Sequence, residues 1–197
     1  MQKRIAQWIS RQISRARIGY FSHLSTTVPE GMPPRLIQPA LLLGQGRIVF
    51  GKDVILGYSP SPYLHSTYIH IEARQVAANI QIGNRVMINN NLAIICEGSQ
   101  ISIGDDCLIG PSCIIVDSDF HHLDPKLRRT GTPRMEPVML GCNVFVGANV
   151  TILRGTSIGD NSVVGAGAVV SGSYPPNVVI GGNPARVLKS LESTFVE

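Results

Sequence analysis

Aliphatic side chains recur every six residues along most of this chain. Val76, Ile82, Ile88 and Ile94 are spaced six apart; the series resumes at Ile103, Ile109 and Ile115, then at Leu140, Val146, Ile152, Ile158, Val164 and Val170. A strand alternates its faces with period two, so a unit of six is a short strand plus a corner. Flat sides joined by corners wind into a coil, with one inward aliphatic per side filling the axis. The residue two before each aliphatic should also point inward. It is modest in size at Val86, Leu92, Cys107, Cys113, Val144, Val150, Thr156, Ser162 and Ala168. Glycine follows seven of the thirteen aliphatics (Gly83, Gly104, Gly110, Gly141, Gly147, Gly159 and Gly165), although only 20 of 197 residues are Gly. A glycine there fits a corner that needs unusual dihedrals or close backbone approach. Asn84, Asp105, Asn143 and Asp160 nearby tolerate left-handed turns. A β-sandwich would place turns every 8–12 residues with no strict period. The pattern therefore predicts an all-β coil of parallel strands.

The breaks in the period matter as much as the period. Three extra residues between Ile94 and Ile103 predict a bulged corner. Residues 121–139 (HHLDPKLRRTGTPRMEPVM) are inserted before Leu140; they are polar, carry three prolines and predict a protruding loop that begins at His121. Phe50-Gly51 and Leu56-Gly57 suggest an irregular first coil starting near Arg47, interrupted by a second loop over 58–71. After Pro175-Pro176 the tail VVIGGNPARVLKSL leaves the period and predicts a short C-terminal helix. At the other end Ile5, Trp8, Ile9, Ile13 and Ala16 fall on one helical face. The expected layout is an N-terminal segment over 1–34, the coil over 35–180 and a tail over 181–197.

Composition narrows this picture. Gly 20 and Pro 13 with 15% charged and 6% aromatic residues suit a turn-rich β protein. Mean hydropathy is positive, at +0.16, but it comes in short Val/Ile pulses, and no apolar run approaches the ~20 residues of a membrane span. The cysteines Cys96, Cys107, Cys113 and Cys142 form no C-x-x-C pair and no secretory leader is evident, so they read as reduced, small, buried residues of a cytoplasmic protein without a metal site. The net charge of +4 is concentrated at the N-terminus: Lys3, Arg4, Arg11, Arg15 and Arg17 precede the first acidic residue, Glu30. That segment has two readings. One is a basic helix lying on anionic lipid at the inner membrane face. The preferred one is a helix packed on a neighbouring subunit with its charged side in water. Elsewhere basic residues neither cluster nor interleave with aromatics, which excludes a nucleic-acid surface.

The run VFVGANVTILRGTSIGDNSVVGAGAVV, followed by YPPNVVIGGNPARVLKSL, resembles the hexapeptide-repeat acetyltransferases. The likeness covers roughly residues 75–191 and is greatest to the galactoside/maltose branch and to surface-polysaccharide O-acetyltransferases. It implies a left-handed parallel β-helix, a homotrimer with sites between subunits, and acetyl-CoA as acyl donor. It assigns His121, in DSDFHH, as general base, with His122 as the alternative and Asp119 or Asp117 as the group orienting the imidazole. It places an oxyanion donor at the Ala148 backbone N–H, the pantetheine arm along Ala166 and Ser171, and coenzyme phosphates near Arg186 and Lys189; Gly172 stands where relatives carry Lys. Asn89 matches an acceptor-contacting Asn, and Asn91 is grouped with it, against the plainer reading of an asparagine ladder at the corners. The loop 58–71, with Tyr63, His65, Tyr68 and His70, and the loop arginines Arg128, Arg129 and Arg134 are further candidates for a glycan.

The expected activity is acetyl transfer to a sugar hydroxyl in surface polysaccharide or lipopolysaccharide biosynthesis. Alternatives are N-acetylation of an amino-sugar nucleotide, acetylation of an antibiotic, a γ-type carbonic anhydrase and a non-catalytic β-helical scaffold. The histidine spacing disfavours the carbonic anhydrase, and a scaffold has no use for the GNPAR tail.

Overall fold

A computed structural model describes residues 2–191, without the side chains of residues 2, 3, 6 and 7. Lys3 as a charge and the last residues of the expected tail, 192–197, therefore lie outside the described residues. The chain winds a three-faced prism of parallel strands. The first face stacks Glu30–Gly31, Arg47–Phe50, Asn79–Ile82, Gln100–Ile103, Val138–Leu140, Ser157–Ile158 and Ser173–Tyr174. The second runs from Arg35–Leu36 through Ile55–Leu56, Met87–Ile88, Leu108–Ile109, Phe145–Val146 and Val163–Val164 to Val178–Gly182; the third runs from Ala40–Gly44 to Val169–Val170. Each side pairs in register with the next coil, as in Ile109 with Ile88 and Val146. Three six-residue sides per turn of parallel strands fit the left-handed β-helix.

The inward positions behave as the period requires. Twelve of the thirteen marked aliphatics are buried, as are all the smaller residues two before them. Val76 is the exception, 75% exposed. It lies in a long corner after Ala73, and the inward series resumes at Ala78, Ile80 and Ile82. The corner glycines answer to close approach: a Cβ on Gly104 or Gly110 would come within 2.6 Å of the Gly141 or Gly147 carbonyl of the next coil. Left-handed dihedrals fall two residues later, at Arg85, Asn91, Asp106, Asn143, Asn149 and Asn161.

Three expectations are corrected here. The coil begins at Glu30–Gly31, ahead of Arg47, because the segment before it already pairs with Arg47–Phe50. The tail forms no helix over its described part. Ala185–Ser190 is a strand, antiparallel to Val178–Gly182, and its hairpin covers an edge that would otherwise leave a row of unpaired backbone groups. Cys142 is exposed, since it sits at a corner outside the inward register, whereas Cys96, Cys107 and Cys113 are buried. Burial pushes the Cys107 and Cys113 thiols up to about 11; burial and the Asp117 charge push Cys96 to about 12.

The N-terminal segment is one helix, Gln2–Leu24, which meets the coil at the third-face strand Ala40–Gly44. Among the described residues no helix is long and apolar enough to cross a membrane.

Candidate functional site

The third corner, between the third and first faces, carries the long loop. The last third-face strand before it, Ile114–Val116, leads to Asp117, and the chain rejoins the first face at Val138. Asp117 is fully buried and accepts backbone N–H groups from Glu97, Gly98 and Ser99, which pins the root of the loop to the preceding coil. Arg154, on the next coil, lies 2.7 Å from Asp119 and 2.6 Å from Glu136. Asp119, with a smaller contribution from Glu136, holds this guanidinium above its usual range against the opposing effect of burial. The loop is thus clamped at both ends by charge.

Phe120 connects the clamp to the candidate base. Its φ is +59°, a conformation that costs a bulky residue of order 1 kcal/mol or more and persists only where its surroundings impose it. Ser118 Oγ accepts the Phe120 N–H, and the Arg74 guanidinium lies 5.1 Å from the ring centroid. Arg74 is itself held by Glu72 and Glu97. The turn projects His121 outward, where it is exposed.

The two histidines differ in what their rings can do. His121 Nδ1 lies 3.2 Å from the Arg128 carbonyl oxygen, which can only accept, so Nδ1 carries the proton and Nε2 is left as the open acceptor of the neutral ring. His122 is the reverse. Its Nδ1 accepts the Asp124 N–H, its neutral ring carries the proton on Nε2, and it packs against Gly131. Only His121 presents a basic nitrogen to solvent. The orienting role expected of Asp119 or Asp117 falls to the Arg128 carbonyl, because the nearby cation and the Glu97–Ser99 amides have already drawn those two carboxylates away.

The second corner, between the second and third faces, holds Ala148 and Ala166 one coil apart. Gly167 N–H donates to the Ala148 carbonyl at 2.9 Å, so the corners stack directly. Among the described residues the Ala148 N–H has no acceptor. The reason is local: on the first corner the equivalent amides of Lys52, Asn84 and Cys142 donate to side-chain oxygens of Asn84, Asp105 and Asp160 on the following coil, but Ala148 is followed by Ala166, which offers none. A Cβ on Gly167 would meet nothing within 4 Å, so the surface beside this corner is open. Gly181, paired with Arg186, continues the same corner beyond Gly165, and this brings exposed Arg186 to the end of the Ala148–Ala166 run. Lys189 pairs with Val179, further back along the strand. Ser171 is exposed on the third corner, at the other end of the side that starts near Ala166.

The asparagine triple divides. Asn91, in the left-handed region, spends its side-chain N–H on Ser112 and its backbone N–H on Gln38, so its side chain forms a rung of the corner. Asn90 is fully buried and ties down the second loop through the carbonyls of Tyr58 and Pro62. Asn89 is half-buried, and its Oδ1 accepts the Asn90 N–H. Arg134 pairs with Glu136, whereas Arg129 is exposed in the loop. His65 and the Leu64 and Thr67 carbonyls of the second loop contact the N-terminal helix. Sequence reasoning missed Arg154 and Arg74, although a lone arginine at the corner of an otherwise nearly uncharged repeat was a usable signal. Among the described residues, no three His, Cys, Asp or Glu side chains converge on a metal-sized site.

Comparison with known proteins bears on this arrangement. The family described as bacterial transferase hexapeptide (six repeats) matches residues 137–172, and the hexapeptide repeat of succinyl-transferase matches residues 100–116. Galactoside O-acetyltransferase of Escherichia coli (strain K12) is 40% identical over 114 residues, covering 58% of this chain and 55% of that protein. A second protein of the same strain, named for O-acetyl transfer in lipopolysaccharide biosynthesis, is 40% identical over 108 residues, or 51% of this chain and 55% of its own length. The chain thus matches just over half the length of these curated relatives. A solved structure extends the likeness: a hexapeptide-repeat acetyltransferase of Vibrio cholerae O1 biovar eltor, complexed with acetyl-coenzyme A, is 27% identical with a TM-score of 0.56, covering 95% of this chain and 85% of that one. The resemblance to hexapeptide-repeat acetyltransferases read from the chain is therefore found again in both sequence and fold.

Proposed function

We propose that this chain is an acetyl-CoA-dependent O-acetyltransferase acting on a sugar hydroxyl, with His121 as general base. The observation that carries the reading is the His121 tautomer: Nδ1–H is fixed on the Arg128 carbonyl, and Nε2 is free to take a proton. Acetyl-CoA as donor is supported by the names of the relatives and by the unfilled second corner, where a free amide, two alanines and Arg186 lie in one run. The run suits a narrow thioester arm that ends in phosphates, for which Arg186 supplies a charge-assisted contact.

In this mechanism His121 Nε2 accepts the proton of the sugar hydroxyl as its oxygen bonds to the thioester carbon. The Ala148 N–H donates to the carbonyl oxygen as that oxygen gains negative charge. The carbon–sulfur bond then breaks, and the imidazolium returns its proton to the departing thiolate. The products are the acetyl ester and free coenzyme A. Arg74, Phe120 and Arg154 act as positioning residues, since each touches the loop and none faces the open Nε2.

His121 and Ala148 stand on different corners of the prism. A site that unites them takes the loop from one subunit and the second corner from another, so the reading includes a homotrimer with sites between subunits. Asn89, at the second corner one coil before Pro111, stays a candidate for the acceptor, as do Ser171 and Lys189 for the coenzyme. The acceptor is proposed to belong to a surface glycan, as the name of the lipopolysaccharide relative suggests. The deciding experiment measures thiol release from acetyl-CoA across a panel of sugars, for wild type and His121→Ala. Sugar-dependent release that is lost in the variant is expected; full activity in the variant would overturn the mechanism.

A further inference from the structure

The N-terminal helix packs onto its own chain by the side that periodicity would not choose. Ser10, Ser14, Arg17 and Phe21, at spacings of four, three and four, form the side turned to the coil. Ser10 contacts His65, Arg17 donates to the Leu64 and Thr67 carbonyls, and Phe21 stacks on Tyr68 with ring centroids 4.5 Å apart. One flank, roughly a third of a turn round from that side, is apolar and uncovered. Ile5, Ile9, Ile13, Ala16 and Tyr20 make a continuous stripe, and Ile5 is 51%, Ile13 49% and Tyr20 61% exposed. Arg4, Arg11 and Arg15 form a second exposed stripe on the other flank, with Trp8, 62% exposed, on the outward side between the two. No acidic residue occurs before Glu30.

We infer that this outward side docks on an anionic bilayer surface. An apolar stripe inserts at the boundary of head groups and acyl chains, Trp favours that depth, and bordering arginines meet lipid phosphates. Charge decides between this occupant and a second copy of the chain. The arginine stripe needs a negative counterpart, and most carboxylates among the described residues are already engaged within the chain. Apart from Asp53, every carboxylate among the described residues already holds a basic side chain or backbone N–H of its own chain, as in Glu30 with Arg47, Asp106 with Arg85 and Asp160 with the Cys142 amide. A bilayer containing acidic phospholipid supplies the missing charge. The inference does not depend on the proposed catalytic chemistry, and it fits an acceptor presented at a membrane.

Trp8 is the sole tryptophan of the chain, so its fluorescence reports on this side alone. The full chain is titrated with phosphatidylcholine vesicles, with and without phosphatidylglycerol, while emission and co-sedimentation are followed. A blue shift and sedimentation with the acidic vesicles are expected, both weakened by salt as surface charge is screened. Replacing Arg4, Arg11 and Arg15 together by Gln should weaken partitioning roughly a hundredfold, at about fivefold per charge. Ile9→Glu with Ile13→Glu should abolish the blue shift at an unchanged melting temperature, which shows that the coil is intact. Equal binding to neutral vesicles, or no binding to acidic ones, overturns the inference. So does Trp8 emission that is already blue-shifted and protected from a soluble quencher before vesicles are added, because a second copy then covers the stripe.

Discussion

On the first corner of the prism the amide of Lys52 donates to Asn84, that of Asn84 to Asp105 and that of Cys142 to Asp160, so three of its steps from coil to coil are tied by a side chain. On the second corner the backbone makes the same turn and one such rung occurs, Tyr58 N–H to Asn90 Oδ1, but from there on Pro111, Ala148 and Ala166 stand in the ladder positions and offer no side-chain acceptor. The first corner closes most of these donors with Asn and Asp side chains. The other leaves the Ala148 donor pointing at open surface, an arrangement that costs little while water can reach the amide and that becomes useful when a carbonyl oxygen arrives. On the proposed reading, the repeat builds a binding edge by leaving something out: small residues at Ala148 and Ala166 where the first corner has Asn and Asp.

The sharpest way to break the comparison is at the proposed base that would serve the open corner. His121→Ala should lower turnover by roughly 10²–10⁴-fold, whereas His122→Ala should change it only a few-fold; steady-state rates with the best sugar of the panel decide. Next comes the open amide itself. Proline already occupies the equivalent position at Pro111, so Ala148→Pro removes the N–H from a corner that accepts proline. Turnover should fall by roughly 10²–10³-fold with little change in melting temperature. An active Ala148→Pro enzyme would show that the missing rung has no catalytic meaning.

The closed corner should respond in stability and not in turnover. Asn84→Ala leaves the Lys52 amide without its acceptor and removes the Nδ2 bond to Asp105; a loss of about 1 kcal/mol is expected in denaturant unfolding, with kcat unchanged. The core beneath both corners should respond to pH, which leaves the corners themselves untouched. The buried thiols are held at about 11 for Cys107 and Cys113 and about 12 for Cys96, above the ordinary 9. Folding therefore favours their neutral forms, and the stability they contribute is complete below pH 9 and is lost as pH rises through 11 to 12. Melting temperatures between pH 8 and 11 should fall less in a Cys107→Ala, Cys113→Ala variant than in wild type. At pH 8 a thiol reagent should modify Cys142 quickly and the other three only on unfolding.

Much of this architecture was legible in the chain. Period six located nearly every inward residue, because a coil filled from its axis admits one register only, and the first residue of the insertion was His121. What failed did so for local reasons. Val76 kept the spacing but fell in a long corner, where period no longer specifies direction. The tail has residues that form either helix or strand, and the open edge of the second face selected strand. The amphipathic pattern of the first helix was read correctly as a face; that this face turns outward followed from contacts made by Ser10, Arg17 and Phe21, which no periodicity weighs.

The site divides along the same line. The sequence by itself determined the prism, its buried aliphatics and thiols, the place where a loop leaves it and the small residues along one edge, since all of these follow from which side chains fit an axis or a corner. Only the tertiary structure decided that His121 Nδ1 meets the Arg128 carbonyl while His122 Nδ1 takes the Asp124 amide, that Asp117, Asp119 and Arg154 hold the loop, and that Asn91 is a rung. These are matters of direction between groups far apart in sequence. A hydrogen bond or ion pair is satisfied by angle and distance, and the order of residues does not record either.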